Sequence, residues 1–528
     1  MTRLPRLVLS VITMLAPLTA GAIVAAGVQA GSKGTVAMNV ATEPLRPARA
    51  AALEPSGPPK ARATSAEDDD HGSDLGEGPV VLPGPSLAAW EPEPAAPPVA
   101  LPELPPDVSL DDDEAPLLAS AFHFDAHVFR RPGRDPYVTG VVRRGTVLPV
   151  KGVLGGPGCR GGRWYRLVGG GAVCTRKGFN VGVETPELDH LPALPDQPLP
   201  YRYGMVVRQG APRFYSLPTN RLYAEARAAI ADGRGLPDGV EKAMKGEYYL
   251  AIHRLEDNPD GVAYYRTVRG RYVRAEDVEL VPPPSMVGVP LDEGAAGLPL
   301  AFVWRAPDDD EAPGAKGAPL YRIDGEEREP VGHADKHARF RVVEETEDGF
   351  VVGPDGLAVR RDHVRIVRAI DRPEDEDIPA DARWIHVELA EQTLVAYEGD
   401  RPVYATLVAS GKDGYDTPRG HFQVRLKYVS TTMNGDDPID GFYEVEEVPW
   451  TMYYFEGYAL HGAYWHDEFG GVRSHGCTNL APADARWLYF WSAPEVPAGW
   501  HGRRYPKGGT HLLFTRNPRD AEEPASPS

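Results

Sequence analysis

Short segments with the composition of β-strands fill most of the chain from residue 119 onward, and glycine and proline separate them. The 528 residues include 56 Gly and 54 Pro, which end or interrupt long regular elements. Residues 220–232 and 482–491 have apolar side chains at helical spacing. We therefore predict a mostly β protein, divided into several small domains because 528 residues exceed what one core accommodates.

The first thirty residues have the pattern of an export signal. Arg3 and Arg6 precede an apolar run at 7–28, and Val28-Gln-Ala30 forms a small-x-small cleavage site. The run is also about long enough to span a bilayer. We interpret residues 1–30 as a cleaved signal peptide, with an uncleaved membrane anchor as the alternative. Either interpretation predicts an exported protein of the periplasm or cell envelope.

Residues 31–118 form a segment rich in proline, alanine and acidic side chains. Between 41 and 117, sixteen Asp and Glu stand against four Lys and Arg, which gives −12 of the net charge of −20. Because few large apolar residues are present to offset the ordering entropy, we predict a disordered linker here and a disordered tail at 518–528. The chain has no clustered basic residues, so we expect no nucleic-acid partner.

The chain has three cysteines, and export makes their number informative. In an oxidising compartment two of the three are expected to pair. Cys159 and Cys174 flank a strand-like run at 163–168 that can turn back on itself. A disulfide between them closes a loop of about fifteen residues, worth about 3 kcal/mol. Cys477 is then the free thiol, which favours a functional role for it.

A degenerate repeat occurs three times, starting near Trp164, Tyr264 and Phe350. Each copy reads as an aromatic strand, a glycine turn and a strand ending in arginine. This pattern resembles tandem SH3-like envelope modules, which predicts three small β-barrel modules. Their predicted ranges are 119–190 with the disulfide, 200–283 with a helical insert, and 297–368. A structural stalk and a cell-wall-binding unit stay open as their function.

The strongest chemical signal is the run Ser474-His-Gly-Cys-Thr-Asn479, with His461-Gly462 upstream. The thiolate is the nucleophilic form of cysteine, and its formation needs a nearby base or cation. His461 and His475 are the candidates, and the backbone N–H groups around Gly476 can hold an oxyanion. These parts suit acyl transfer through a thioester.

Two other interpretations of the cysteine compete with the nucleophile. A zinc site would use Cys477 with His461, His466 and His475, but their spacing fits no familiar zinc pattern. A buried structural cysteine with packing histidines is the second.

The order of these motifs resembles the signature of YkuD-type L,D-transpeptidase catalytic domains. The segments 384–399, 417–420 (Thr-Pro-Arg-Gly) and 458–462 resemble it too. The resemblance covers about 384–515 and implies a β-rich catalytic domain at 380–517 with one helix after the cysteine motif. Papain-like peptidases place the cysteine before the histidine, the reverse of the order here.

The resemblance implies a role for each residue at a matching position. Cys477 would be the nucleophile and His461 the base, with the Gly462 carbonyl orienting its imidazole. Backbone amides at His475, Gly476 and Cys477 would form the oxyanion hole. The implied substrate-binding or loop-shaping residues are Ser474, Asn479, Tyr464 and Trp465.

Two further expectations concern the surroundings of the motif. Arg473 is interpreted either as a surface ion-pair residue or as a contact for a substrate carboxylate. Residues 430–456 would act as a lid, and Asn434-Gly435 and Pro438 are turn signals that predict a loop within it.

The implied reaction joins two peptidoglycan stem peptides without a metal or cofactor. The thiol would attack the carbonyl between the third and fourth stem residues, release D-alanine and pass the acyl group to an acceptor amine as a 3→3 cross-link. An L,D-carboxypeptidase and an enzyme that attaches a protein to the wall differ only in the acceptor. A non-catalytic wall-binding protein is the alternative from another class.

Overall fold

The computed structural model describes residues 117–182, 197–292, 294–307, 317–374, 376–437 and 441–516. The predicted signal peptide at 1–30, almost all of the predicted linker at 31–118 and the predicted tail at 518–528 lie outside these residues. Within the described ranges, none of the helices has both the length and the apolar character needed to cross a bilayer.

The first β module contains seven short antiparallel strands. They are β1 (Leu118–Ala121), β2 (Asp125–Phe129), β3 (Val138–Arg143), β4 (Val147–Leu154), β5 (Trp164–Leu167), β6 (Ala172–Cys174) and β7 (Phe179–Gly182). A disulfide joins Cys159 to Cys174, with Cα atoms 5.8 Å apart. It packs with Phe129 and Trp164, so the cross-link lies against an aromatic pair at one end of the module.

The second β module repeats this arrangement and adds a helix. Its elements are β8 (Arg202–Val206), β9 (Ala211–Phe214), α1 (Asn220–Ala231), β10 (Val240–Met244), β11 (Glu247–Asp257), β12 (Ala263–Thr267), β13 (Tyr272–Arg274), a 3₁₀ turn (Ala275–Asp277) and β14 (Val278–Leu280). The Thr219 hydroxyl caps α1 by accepting from the Leu222 N–H at 3.3 Å. Tyr223, Ala226 and Ala229 form its buried face, which is the apolar spacing seen in the sequence.

The third β module follows a short strand, β15 (Val289–Pro290), and a 3₁₀ turn (Gly294–Gly297). Its elements are β16 (Leu300–Val303), β17 (Gly317–Asp324), β18 (Glu327–Asp335), β19 (Arg339–Arg341), β20 (Glu344–Glu345), β21 (Phe350–Val352), β22 (Leu357–Arg360), a 3₁₀ turn (Arg361–His363) and β23 (Val364–Val367).

The three modules share one strand order. With strands numbered 1 to 7 inside each module, the first two have the order 7-1-4-5-6-2-3. The third has the same order, but its fourth strand is divided into β19 and β20, so its sheet splits in two. The repeat read in the sequence therefore corresponds to a repeated topology, while the SH3-like assignment stays a prediction.

The last domain consists of two packed sheets and a helix. Its elements are β24 (Arg383–Glu388), β25 (Thr393–Glu398), β26 (Arg401–Leu407), β27 (Gly420–Gln423), β28 (Leu426–Asp437), β29 (Gly441–Phe455), β30 (Tyr458–Gly462), β31 (Thr478–Leu480), α2 (Pro482–Trp491), β32 (Gly502–Arg504) and β33 (His511–Thr515). One sheet has the order β15-β26-β25-β24-β33-β27. The other runs β32-β28-β29-β30-β31. The mostly β architecture with one helix after the cysteine motif is confirmed.

The core of this domain lies between the two sheets, and α2 closes one side of it. Apolar side chains from both sheets meet there, among them Ile385, Leu394, Met452, Leu460 and Leu512. Pro482 stands at the start of α2, where its missing N–H leaves no helical hydrogen bond unmade.

The modules are joined to this domain by strand pairing as well as by side chains. β3 of the first module pairs with β32, and β11 of the second pairs in parallel with β29. β15, which precedes the third module, forms the edge of the six-stranded sheet. The boundary expected at residue 380 therefore omits a strand that the domain uses.

Candidate active site

Two short parallel strands bring the cysteine and histidine motifs together. The register of β30 against β31 pairs Leu460 with Thr478 and His461 with Asn479. Side chains of residues that are paired in register on neighbouring strands point to the same face of a sheet. His461 and Asn479 therefore share one face. Cys477 lies directly before β31, two residues from Asn479. The two motifs, sixteen residues apart in the sequence, thus meet on neighbouring strands.

The thiol of Cys477 is buried, with 3 % of the residue exposed. Its Sγ lies 3.7 Å from the Gly457 carbonyl oxygen. Burial raises the pKa of this thiol to about 11, and a backbone hydrogen bond at Ala459 acts weakly in the opposite direction. In this conformation Cys477 is therefore a neutral thiol. It is the free cysteine of the described residues.

His461 is buried on the neighbouring strand, where its own backbone holds the ring. Its Nδ1 lies 3.3 Å from the Gly462 carbonyl oxygen. A carbonyl only accepts, so Nδ1 carries the proton and Nε2 has the free lone pair that a base requires. Burial lowers the pKa of His461 to about 4, and the bond to Gly462 opposes that shift. The imidazole is accordingly neutral.

A glycine and two hydroxyls shape the loop that carries the cysteine. Gly476 has φ 109°, and a Cβ there would lie 2.5 Å from Cε1 of Tyr458. The Ser474 hydroxyl donates to the Cys477 carbonyl and accepts from the Gly476 N–H at 3.1 Å. The Thr417 hydroxyl donates to the Gly476 carbonyl at 2.8 Å. The loop is thus fixed on both sides of the thiol.

Three residues that support the loop are not among the site residues predicted from the sequence. Thr417 also accepts from the Gly411 N–H at 2.9 Å. The Gln392 side chain bonds to Ser410 through both of its ends, at 2.7 Å each. Thr417 and Gln392 fall inside segments that carry the family resemblance, which was the available signal. Ser410 has no such signal in the sequence, because its role depends on β26 ending beside the cysteine loop.

Several expected site residues surround the loop. His475 is half-buried between two tyrosine rings, stacked on Tyr443 at 5.1 Å and edge-on to Tyr415 at 4.8 Å. Trp465 lies with its ring 5.8 Å from that of His461. The exposed Arg473 forms an ion pair with Glu468, the first of its two interpretations.

Tyr464 does not line an open groove, contrary to its expected role. Its side chain is buried, stacked on Tyr203 of the second module at 3.6 Å. Its hydroxyl donates to the Glu446 carbonyl at 2.9 Å. The sequence could not show this, because the residue that covers Tyr464 is about 260 positions away.

The predicted lid is a hairpin of β28 and β29 rather than a loop. Asn434-Gly435, read as a turn signal, lies within β28. Position 435 favours glycine, because a Cβ there would lie 2.7 Å from Cε1 of Tyr443, its partner across the hairpin. The missing side chain lets the Tyr443 ring lie across the strand and reach His475. Pro438 falls outside the described residues.

The described residues include no group of three or more His, Cys, Asp or Glu side chains arranged to hold a metal.

Comparison with known proteins assigns this domain. Residues 382–499 match the YkuD family, the L,D-transpeptidase catalytic domain. A search of curated proteins found no match. The chain is similar to a cysteine-to-serine mutant of the Enterococcus faecium L,D-transpeptidase, at 26% identity over 25% of this chain and 50% of that one, with a TM-score of 0.21.

Two further solved structures are similar over the same part of the chain. The isolated E. faecium catalytic domain has 26% identity over 26% of this chain and 98% of that one, with a TM-score of 0.21. An L,D-transpeptidase from Stackebrandtia nassauensis has 23% identity over 28% of this chain and 62% of that one, with a TM-score of 0.20. The match thus spans half the length of the mutant E. faecium protein.

The family match thus assigns the two-sheet domain to a class of transpeptidase catalytic domains. Specifically, residues 382–499 form a YkuD-type L,D-transpeptidase catalytic domain, as the motif order predicted.

Proposed function

We propose that the chain is an exported peptidoglycan L,D-transpeptidase that forms 3→3 cross-links through a thioester on Cys477. The observation that supports the proposal is the pairing of β30 with β31, which brings the histidine and cysteine motifs onto neighbouring strands of a YkuD-type domain. The substrates are two stem peptides, a tetrapeptide donor and an acceptor with a free side-chain amine.

In the first half-reaction His461 acts as the base. Its Nε2 takes the thiol proton as Sγ attacks the carbonyl carbon between the third and fourth stem residues. Since both groups are neutral in the free enzyme, proton transfer accompanies attack and no preformed ion pair is needed. The C–N bond then breaks, D-alanine leaves with the proton from His461, and the acyl group stays on sulfur as a thioester.

The developing oxyanion needs donors that the loop can supply. The backbone N–H groups of His475 and Cys477, in the loop that carries the sulfur, are the proposed donors. The Gly476 N–H is engaged by Ser474 at 3.1 Å, so it would join the oxyanion hole only after that bond opens.

In the second half-reaction the acceptor amine resolves the thioester. The amine gives a proton to His461 and attacks the acyl carbon, and Sγ leaves and regains a proton. An amide cross-link forms and the free thiol returns. Water in place of the amine gives carboxypeptidation, and a protein amine gives wall attachment.

The proposed location is outside the cytoplasm, in the periplasm or cell envelope. The charge pattern of residues 1–30 supports it, and so does the Cys159–Cys174 disulfide, because such bonds persist in oxidising compartments. The three β modules are proposed to contact the wall near the stem peptides.

The test uses the chain from residue 31 onward, because the modules share sheets with the catalytic domain. The protein is incubated with tetrapeptide stems and the products are weighed by mass spectrometry. Loss of D-alanine with a cross-linked dimer, abolished in Cys477→Ala, is expected. Loss without a dimer indicates the carboxypeptidase. No loss of D-alanine from a folded protein whose Cys477 can be alkylated by iodoacetamide rejects the enzyme in favour of a wall-binding role.

A second measurement addresses the nucleophile alone. A carbapenem is expected to add its intact mass at Cys477 and at no other residue. The Cys477→Ala protein is the matched control, and an adduct on that variant contradicts the assignment.

A further inference from the structure

The second β module forms part of the wall around the catalytic thiol. Cys477 belongs to an apolar cluster that contains Met433 and Tyr453 from the hairpin, and Tyr203 and Tyr249 from the second module. Tyr249 also lies beside Trp465, with ring centroids 6.2 Å apart. With 3 % of Cys477 exposed, a peptide carbonyl cannot reach Sγ in this conformation.

The hairpin is fastened to that module by buried charge. Strand β29 carries an acidic strip, Glu444, Glu446 and Glu447. Arg213 of the second module donates to Glu444 at 2.6 Å and to Glu446 at 3.1 Å. Lys242 donates to the other oxygen of Glu444 at 2.8 Å. The side chains of Arg213 and Glu446 are 7 % and 1 % exposed, so solvent screens this pairing little.

The third acidic residue reaches both of the first two modules. Glu447 pairs with Arg143 of the first module and lies 3.2 Å from Arg269 of the second. Its backbone has φ 50°, a left-handed conformation that costs about 1 kcal/mol for a side chain with a Cβ. Burial alone would raise the pKa of Glu447, but Arg143 and Arg269 outweigh it and lower the pKa to about 2. Glu447 is therefore ionised where it bridges the modules.

Backbone groups also join the hairpin to the second module. β11 and β29 pair in parallel from Glu247 with Tyr443 to Tyr249 with Val445. The Ala251 N–H donates to the Glu446 carboxylate at 3.1 Å, and the Tyr203 hydroxyl donates to the Glu447 carbonyl at 2.8 Å. The module thus holds the hairpin by strand pairing, ion pairs and aromatic packing together.

We propose that the second β module is an autoinhibitory clamp, which holds the β28–β29 hairpin closed over Cys477 until module and hairpin separate. The clamp rests on the proposed function in one respect: the buried thiol is the group that the substrate must reach. The neutral states of Cys477 and His461 agree with a resting enzyme, because water entering on opening would move both pKa values toward their ordinary range.

The test measures how fast Cys477 reacts with iodoacetamide in the otherwise full chain, by peptide mass spectrometry. Lys242→Met removes one ion pair to the acidic strip and keeps the aliphatic stem. Lys245→Met is the matched control, because it makes the same substitution at an exposed position three residues along. Arg213→Met removes both ion pairs to the acidic strip, together with the pair to Glu241 inside the module, and is the stronger variant.

We expect Lys242→Met to alkylate a few-fold faster than the wild type and Arg213→Met at least about tenfold faster, since tenfold corresponds to about 1.4 kcal/mol. Lys245→Met should react at the wild-type rate. The wild type should react far more slowly than the same protein denatured in urea without reductant, where one thiol per chain is expected. Equal rates in Lys242→Met, Lys245→Met and wild type overturn the clamp, as does a wild-type rate equal to that of the denatured chain.

Hydrogen exchange distinguishes release of the hairpin from general unfolding. In Lys242→Met and Arg213→Met, the two release variants, the amides of residues 443–448 should exchange faster than in the wild type. The exchange of β24 and β25 should not change. If Arg213→Met shows faster exchange in all of these strands, it has lost the fold. The alkylation rate of Lys242→Met, the milder change, then decides whether the clamp exists.

The clamp and the enzyme can fail separately. Alkylation reports access to sulfur and needs no stem peptide, so faster labelling without cross-linking keeps the clamp and rejects the transpeptidase. Cross-linking by a wild type whose release variants label no faster keeps the transpeptidase and rejects the clamp.

Discussion

Nε2 of His466 lies 2.9 Å from Nδ2 of Asn479, the residue paired with His461 across the two central strands. Nδ1 of His466 accepts from the Glu468 N–H at 3.2 Å, so Nε2 is the protonated nitrogen. Two donors cannot face each other, and Oδ1 of Asn479 is buried without a hydrogen-bond partner. Exchanging the amide oxygen and nitrogen satisfies both groups. His466 therefore holds the Asn479 amide with its oxygen toward the imidazole.

Replacing His466 should slow the reaction by way of Asn479. His466→Phe removes the donor, and we expect kcat to fall about tenfold with little change in KM, because a misplaced group beside the base affects the chemical step. His466→Gln can still donate and should recover most of the rate. Steady-state kinetics on both variants checks this; equal losses in the two would show that the ring's volume matters and its hydrogen bond does not.

Gly476→Ala should disrupt the cysteine loop for two reasons, backbone strain and contact with Tyr458. Gly414→Ala separates them, since Gly414 also has a positive φ, of 80°, but nothing within 4 Å of an added Cβ. We expect Gly476→Ala to lose at least about a hundredfold in turnover, while Gly414→Ala costs about 1 kcal/mol of stability and little activity. Urea denaturation and product analysis provide the two measurements. Similar activity of the two variants would mean that the Tyr458 contact is easily relieved.

Acid should destabilise the protein before its surface carboxylates titrate. Burial lowers the pKa of five buried histidines, to about 4 or about 3: His337, His386, His461, His466 and His501. Each is neutral when folded and takes up a proton on unfolding below about 6.5, so the stability they confer is complete above pH 6.5 and falls as pH drops toward 4.

Two buried carboxyl groups oppose this trend. Burial raises the pKa of Glu446 to about 7 and that of Asp484 to about 6, so both favour the folded state as pH falls in the same window. Five histidines against two carboxyls leave a net loss of stability on acidification. Urea midpoints at pH 7.5, 6 and 5 should decrease in that order, and His386→Gln should flatten the slope. A constant midpoint would contradict the prediction.

Lys427 should stabilise the end of α2 from the inside of the domain. Its Nζ donates to the Tyr489 carbonyl and, at 2.8 Å, to the Ser492 carbonyl, groups that end a helix without a partner of their own. Burial lowers the pKa of Lys427 to about 7, and a neutral amine still donates. Lys427→Met should reduce the free energy of unfolding by about 1–3 kcal/mol, measured by urea denaturation. The exposed Lys507→Met is the control, and equal stability of the two variants would rule out the cap.

Local signals predicted the parts of the fold that depend on local chemistry. Both helices lie where the apolar spacing put them, because an N-cap threonine in one and a first-turn proline in the other act within a few residues. The motif order predicted the YkuD domain, and it links Cys477 with His461 as a candidate pair.

Long-range contacts escaped prediction because they join positions far apart in the sequence. The burial of Tyr464 under Tyr203 depends on the second module returning across the hairpin. The sequence predicts a loop in place of the hairpin because Asn434-Gly435 is a common turn signal, whereas in the structure the glycine makes room for Tyr443. Neither fact has a local signature.

The two-residue strand β15 has a consequence for any attempt to cut this protein apart. It lies more than ninety residues before β24, with the whole third module between them, yet its register partners are Tyr404 and Ala405. A protease that cleaved the chain between the third module and β24 would leave a piece of the catalytic sheet attached to the other fragment. The two products should therefore migrate together on a sizing column until a denaturant separates them.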